Sequence, residues 1–286
     1  MRQKFIGCEA EREEARIVLF GVAFDATCTY RDGARFAPSV IRGESFAIEA
    51  YSPYQDKDLR DAKIFDAGDL NFENIDAMLT KVEEVAGSIL DAGKFPMMIG
   101  GEHLVTLGSF RAAAKKFPDI CVVHFDAHTD LRDDWEGNPY NHSTVIKRCW
   151  DIINDSSFST SKSDKRILQF GIRSGEKAEF EFAKNYTVLT PNNFEGLADK
   201  IKIIGSRPVY FTIDLDVLDP SEFGGTGTPE AGGVRFLDLL SAAKEVFESL
   251  NVVGCDIVEL SPPHDMNGAS TALACKFLRE LLLLIK

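Results

Sequence analysis

The sequence predicts an α/β fold, a mostly parallel sheet with helices on both faces, and three observations predict it. Short β-branched or apolar runs recur at 17–21, 64–66, 97–99, 121–126, 167–171, 209–215 and 252–258. Longer stretches at 74–92, 104–116, 236–250 and 271–285 carry apolar residues at helical spacing. Breakers fall between the two kinds of segment: Gly93 and Pro96 stand where a helix should stop before a strand, and Pro38 suits the first turn of another helix. Strand then helix, repeated, is the pattern of parallel sheets joined by crossover connections.

The chain of 286 residues is 44% hydrophobic, enough to bury a large core, and it contains no internal repeat and no linker that would divide it. One domain over 1–286 is the expectation. Asp plus Glu number 45 against 32 Lys plus Arg, a net charge of -13 that repels phosphate backbones and anionic membrane surfaces and draws in cations. Nucleic acid is therefore excluded as a partner class, although the acidity also serves solubility. No stretch approaches the roughly 20 apolar residues that cross a bilayer. Residues 1–16 are rich in charges of both signs without the apolar centre of a signal peptide, so a cytoplasmic protein is expected. The six cysteines form no C-x-x-C pair, and Cys121 and Cys255 belong to strand-like runs, which points to reduced structural thiols. The Ser- and Lys-rich segment 156–165 is expected to be an exposed loop.

Three strand ends carry chemistry. The run 121–125 leads into Asp126, His128 and Asp130, two carboxylates and an imidazole at every second position, which in extended backbone share one face. Parallel α/β sheets place their ligand sites outside the carboxyl ends of strands, where this run falls; taken alone, it is equally a solvated loop with a stray histidine. A second run ends in Asp214 and Asp216, followed by Asp219 before Pro220, where an Asp-Pro pair suits a turn. The third ends in Gly100 and Gly101, which permit close backbone approach, and then His103. Four carboxylates near one another, buried without cations, would be strongly unfavourable.

Oxygen-rich ligation with two imidazoles and no thiolate suits manganese best among common divalent ions, with cobalt, nickel or zinc possible by substitution. Four carboxylates balance two divalent ions. Two ions sharing a water lower its pKa towards neutrality, so hydrolysis is the reaction such a site performs most directly.

These segments, Gly100 to His103, Asp126 to Asp130 and Thr212 to Pro220, read G-G-x-H, D-A-H-x-D and T-x-D-x-D-x-x-D-P, and in this order the sequence resembles the ureohydrolase family of arginases and agmatinases. The likeness runs from Tyr30 to Arg35 near the start to Glu259 to Pro263 near the end. The resemblance implies a three-layer α/β/α fold with about eight strands, two Mn2+ per subunit on His103, Asp126, His128, Asp130, Asp214 and Asp216, and a homo-oligomer, a trimer or hexamer. It further implies that His142 passes a proton to the leaving amine, and that Glu259 grips a planar guanidinium through paired hydrogen bonds. Without the family, His142 reads as an ordinary surface histidine and Glu259 as half of a structural salt bridge. Ser143 and Ala37 stand where relatives often have glycine.

Asn138 and Tyr140 depart from the arginase pattern for holding an amino acid, so agmatine is the expected substrate, cleaved to putrescine and urea. A guanidinobutyrate or guanidinopropionate hydrolase would need a cation in the tail pocket, and Arg132 is the residue that could supply it. A single-zinc deacylase of the same fold would need fewer ligands than the six present. A catalytically silent relative would not need His142 and Glu259. His124, inside a strand, is expected to support Asp126 rather than to bind metal. His264 is expected at the surface, and the glycine-rich 224–229 segment, lacking the Lys and Ser/Thr of a phosphate loop, is expected beside the metals.

Overall fold

The computed structural model describes residues 3–155 and 165–286; the loop expected at 156–165 lies, apart from Lys165, outside them. In chain order the elements are β1 (Ile17–Ala23), α1 (Ala37–Glu44), β2 (Tyr51–Ser52), β3 (Lys57–Asp58), β4 (Ile64–Asn71), α2 (Ile75–Asp91), β5 (Phe95–Ile99), α3 (Thr106–Lys116), β6 (Cys121–Phe125), α4 (Val145–Asn154), β7 (Ile167–Ile172), α5 (Lys177–Tyr186), β8 (Val188–Pro191), α6 (Leu197–Lys200), β9 (Pro208–Asp214), α7 (Phe236–Ser249), β10 (Asn251–Val258) and α8 (Ala269–Leu284). Eight strands form one sheet in the order β4-β1-β5-β10-β9-β6-β7-β8, and every pairing in it is parallel. The short β2-β3 pair is antiparallel and separate.

Alternation along each strand feeds two cores. Ile17 and Leu19 of β1 join the core beneath α1, α7 and α8, whereas Val18, Phe20 and Val22 join the one beneath α2, α3 and α4. This is the helix-sheet-helix layering that a sheet buried on both faces requires. Asn74 caps α2 by accepting from the Ala77 N–H at 2.9 Å, and Gly93, at φ 70°, ends it in the left-handed conformation.

Besides the short β2, β3 and α6, three elements were not legible in the pattern of runs. Strand β8 is an edge of four residues, of which only Thr190 is buried, ending in the exposed Pro191, so it shows no apolar run. Helices α4 and α5 span 10 residues each and mix charges into their apolar faces. No disulfide joins the described cysteines, and Cys121 and Cys255 are buried in the sheet. Among the described residues, no helix is long and apolar enough to cross a membrane.

Candidate metal centre

The four middle strands, β5-β10-β9-β6, are neighbours in the sheet, and their carboxyl ends supply every expected site residue except His142. After β5, Gly100 and Gly101 carry the chain to His103. A Cβ on Gly101 would stand 1.9 Å from the Phe24 carbonyl oxygen, so only glycine allows the two backbones to meet here. The Glu102 N–H then donates to that same oxygen at 2.9 Å. After β9, a 3-10 turn over Leu215–Val217 brings Asp216 back beside Asp214, whose Oδ1 accepts the Asp216 N–H at 2.8 Å.

His103 Nδ1 faces three carboxylate oxygens, of Asp130 at 3.0 Å, Asp126 at 3.2 Å and Asp214 at 3.4 Å. His128 Nδ1 faces Asp216 at 3.0 Å and Asp126 at 3.4 Å. Asp126 turns Oδ2 towards His103 and Oδ1 towards His128, and so belongs to both groups. The expected common face of residues 126, 128 and 130 needs correction. The strand ends at Phe125, and Asp130 sits at φ 51°, so the alternation breaks and Asp130 turns to the His103 side while His128 joins Asp216.

Apart from His128, which is half-buried, these groups are almost fully buried: Asp126 is 0% exposed, His103 1% and Asp216 1%. Burial, followed by the charges of Asp216 and Asp126, holds the Asp214 carboxyl well above the usual range. Burial also opposes a charged His103, but the carboxylates of Asp126, Asp130 and Asp214 outweigh it and lift that imidazole well above its ordinary value. The cluster thus gathers negative charge that needs cations at its centre. His103 Nδ1 is buried and makes no hydrogen bond, although three carboxylate oxygens surround it. A divalent ion in the His103 group fits that orphaned nitrogen, and the imidazole and carboxylates of Asp126, His128 and Asp216 offer a second set of donors of the same kind.

A polar row underlies the ligands. Gln169, His124, Thr212 and Asp256 are register neighbours across β7, β6, β9 and β10. His124 donates from Nε2 to Asp126 Oδ2 at 2.7 Å, and its Nδ1 accepts from Gln169 at 3.1 Å. Although it lies within metal-binding distance of the His103 group, both its nitrogens are engaged, and it supports Asp126 as expected. Asp256 and Gln169 escaped the sequence reading, as did the supporting role of Thr212, named there only as the first residue of a motif. Their signal was present: each is a polar residue inside an otherwise apolar strand, at the same level of the sheet.

Glu259 follows β10 at φ 66°, and its Oε1 accepts the His103 N–H at 2.8 Å. His142 opens the 3-10 turn His142–Thr144, capped by Asn141, and places Nδ1 3.7 Å from Glu259 Oε1. Burial opposes protonation of His142, and the Glu259 carboxylate reverses this and raises its pKa. Both residues stand beside the His103 group, with Glu102 behind them, whose carboxyl burial pushes up to about 7. A cleft of about 280 Å3 opens from this rim, lined by Thr29, His128, Asp130, His142 and Asp214 and, at its mouth, by Arg132, Trp135 and Glu176.

Arg132 is not a spare cation there. It pairs with Glu176 at 2.9 Å and Glu179 at 3.5 Å and packs over Trp135. Asp219 takes the turn role expected of it, accepting the N–H groups of Ser221, Gly232 and Gly233. The 224–229 segment does lie beside the site: Thr228 donates to Asp216 at 3.3 Å, and a Cβ on Gly227 would come within 4.0 Å of Glu259 Oε2. His264 is half-buried rather than at the open surface, because its Nε2 bonds the Asp32 carbonyl at 3.0 Å.

A parallel α/β sheet whose central strand tips assemble two carboxylate-imidazole groups around one shared aspartate defines a metal-dependent hydrolase. The chain belongs to the arginase family, whose model matches residues 15–284. It is 45% identical to the agmatinase of Bacillus subtilis over 98% of this chain and 95% of the relative. It is 34% identical to the guanidinopropionase of Pseudomonas aeruginosa over 94% of this chain and 86% of that one. The solved structure of an agmatine ureohydrolase of Thermoplasma volcanium superposes with a TM-score of 0.88 at 32% identity, covering 99% of this chain and 94% of that one.

Proposed function

We propose that the protein hydrolyses agmatine to putrescine and urea, with His103, Asp126, His128, Asp130, Asp214 and Asp216 holding two Mn2+ ions. When bound, the ions supply a water acidic enough to serve as nucleophile near neutral pH. Glu259 Oε1 is committed to the His103 N–H, which leaves Oε2 to receive the forked N–H groups of a guanidinium beside the ligand cluster. His142, turned to Glu259, then gives its Nδ1 proton to the alkyl nitrogen as the C–N bond breaks, so that the amine departs neutral.

The observation that carries the substrate assignment is the pairing of Arg132. Among the described residues lining the cleft it is the one arginine or lysine, and Glu176 and Glu179 neutralise it. A carboxylate tail finds no partner at that mouth, whereas an ammonium tail meets net negative charge. The 44–45% identity to agmatinases of Bacillus species supports the same reading. Urea release from agmatine, arginine and guanidinobutyrate, measured side by side with added Mn2+, tests it. Agmatine is expected to be cleaved fastest; a preference for either carboxylate substrate would overturn the assignment, and a single tightly held zinc per chain would overturn the two-ion site.

A further inference from the structure

The segment between β1 and α1 supplies no metal ligand, yet it is built against the catalytic rim. Its base is locked by Asp25, whose Oδ2 accepts the N–H groups of Gly33 at 2.8 Å and Arg35 at 3.1 Å. Gly33 stands at φ 119°, and a Cβ there would meet Ser261 Oγ at 2.7 Å, so the segment is also pressed against the chain that follows Glu259. From this fixed base, two threonines reach His142 and its turn.

Thr27 donates its hydroxyl to Glu102 at 2.6 Å and accepts the His142 N–H at 3.1 Å, while its carbonyl accepts from Asn141 Nδ2 at 2.7 Å. The backbone of the His142 turn is thereby tied to the residue next to His103. Thr29 addresses the ring itself: its hydroxyl lies 2.9 Å from His142 Nε2. The opposite nitrogen, Nδ1, is the one that faces Glu259.

We propose that Thr29 is the positioning residue of His142, holding Nε2 in both protonation states so that Nδ1 stays turned to Glu259 and the cleft. A hydroxyl is suited to this because it is both donor and acceptor. When His142 is charged, its Nε2–H donates to Thr29. After Nδ1 has given up its proton the neutral ring keeps its Nε2–H and the same donation persists, and in the other neutral tautomer the Thr29 hydroxyl donates to the Nε2 lone pair instead. In neither state must the ring turn away to find a partner, and a ring held in place is what an acid acting on a departing nitrogen requires. Valine keeps the shape of threonine and removes both bonds; serine keeps both bonds.

This inference rests on the reading of His142 as the proton donor, and the test separates the two. Steady-state kinetics on agmatine with added Mn2+ are compared for wild type, T29V, T29S, H142A and T29V/H142A. T29V is expected to lose about tenfold in kcat with KM and metal content nearly unchanged, because it removes positioning and not binding. T29S is expected to recover most of that loss, and T29V/H142A to be no slower than H142A. Wild-type kcat in T29V beside a slowed H142A would overturn the role of Thr29 and leave that of His142. Losses that multiply in the double variant, or a T29S as slow as T29V, would also overturn it. Wild-type kcat in H142A would remove the proton donor and the proposal together.

Discussion

Thr212 donates its hydroxyl hydrogen to Asp256 at 2.6 Å, and that donation settles which nitrogen of His103 is available to a cation. With its one hydrogen engaged, the hydroxyl accepts at 2.9 Å from His103 Nε2, which must therefore carry the proton and leave the Nδ1 lone pair aimed at the carboxylates. Tyr210 donates to the other Asp256 oxygen at 2.7 Å and completes the anchor. Thr212→Val is expected to weaken Mn2+ binding by about 10- to 100-fold, the usual effect of losing a partner behind a metal ligand, and Thr212→Ser to restore it. Calorimetric titration of the metal checks this; unchanged affinity in the valine variant would show that His103 is oriented by other contacts.

Asp126 belongs to both ligand groups, so its replacement should empty both. Asp126→Asn keeps the shape and removes the charge that faces His103 on one side and His128 on the other. Activity is expected at background, with fewer than two metal ions retained per chain by elemental analysis. Retention of two ions at wild-type affinity would show that Asp126 does not bridge the groups.

His142 and Glu259 divide the work in the proposed reaction, and their variants should differ accordingly. His142→Ala is expected to lower kcat by about 10²- to 10⁴-fold, the range of general acid catalysis, with metal content intact. Glu259→Gln removes the charge that receives the guanidinium, and is expected to raise KM as well as lower kcat. A fall in metal content in the histidine variant would instead place His142 among the ligands.

The convergence of the six candidate ligands was legible in the sequence because parallel sheets expose their chemistry at strand ends, where acids and histidines interrupt an apolar run within a few residues. Asp126, Asp214 and His103 all sit at such interruptions. The division of the six into two groups was not legible, since it depends on the left-handed turn at Asp130 and on strand order, which bring residues from β5, β6 and β9 together. The polar row of Gln169, Thr212 and Asp256 was hidden for a related reason: one polar residue in a strand is unremarkable until register aligns it with its neighbours. Thr27 and Thr29, which bond the backbone and ring of His142, come from a loop more than a hundred residues away from it in sequence and carry no pattern of their own.

Asp219 gives the fold a pH-dependent contribution outside the ligand cluster. Hydrogen bonds from Ser221, followed by those from Gly232 and Gly233, lower its pKa to about 2. A carboxylate depressed in the folded state stabilises it fully above the unfolded value and loses that contribution as pH falls through the folded one. Asp219→Ala should therefore unfold at a lower temperature than wild type at pH 7, and the gap should narrow as pH falls from about 4 towards 2. A gap that stays constant over that range in thermal melts would show that the carboxylate charge contributes nothing to the turn.

Two glycines make opposite predictions from the same substitution. Gly87 lies within α2, where glycine is a poor helix former, and a Cβ there would meet its nearest neighbour, Ala112 Cβ, at an ordinary 3.9 Å. Gly87→Ala should stabilise the protein by about 0.5–1 kcal/mol through helix propensity. Gly101 is the reverse case. The added methyl would collide with the Phe24 carbonyl, and relief requires moving backbone, because the Glu102 N–H bonds that carbonyl and the Gly101 carbonyl accepts the Glu259 N–H at 2.9 Å. Any such shift displaces His103 and Glu259 together. Gly101→Ala is expected to cost about 1–3 kcal/mol or more from overpacking and to depress metal affinity in parallel. Denaturant melts with metal titrations check both, and a Gly101→Ala protein with wild-type stability and wild-type Mn2+ affinity would show that the Phe24–Gly101 contact does not set the ligand geometry.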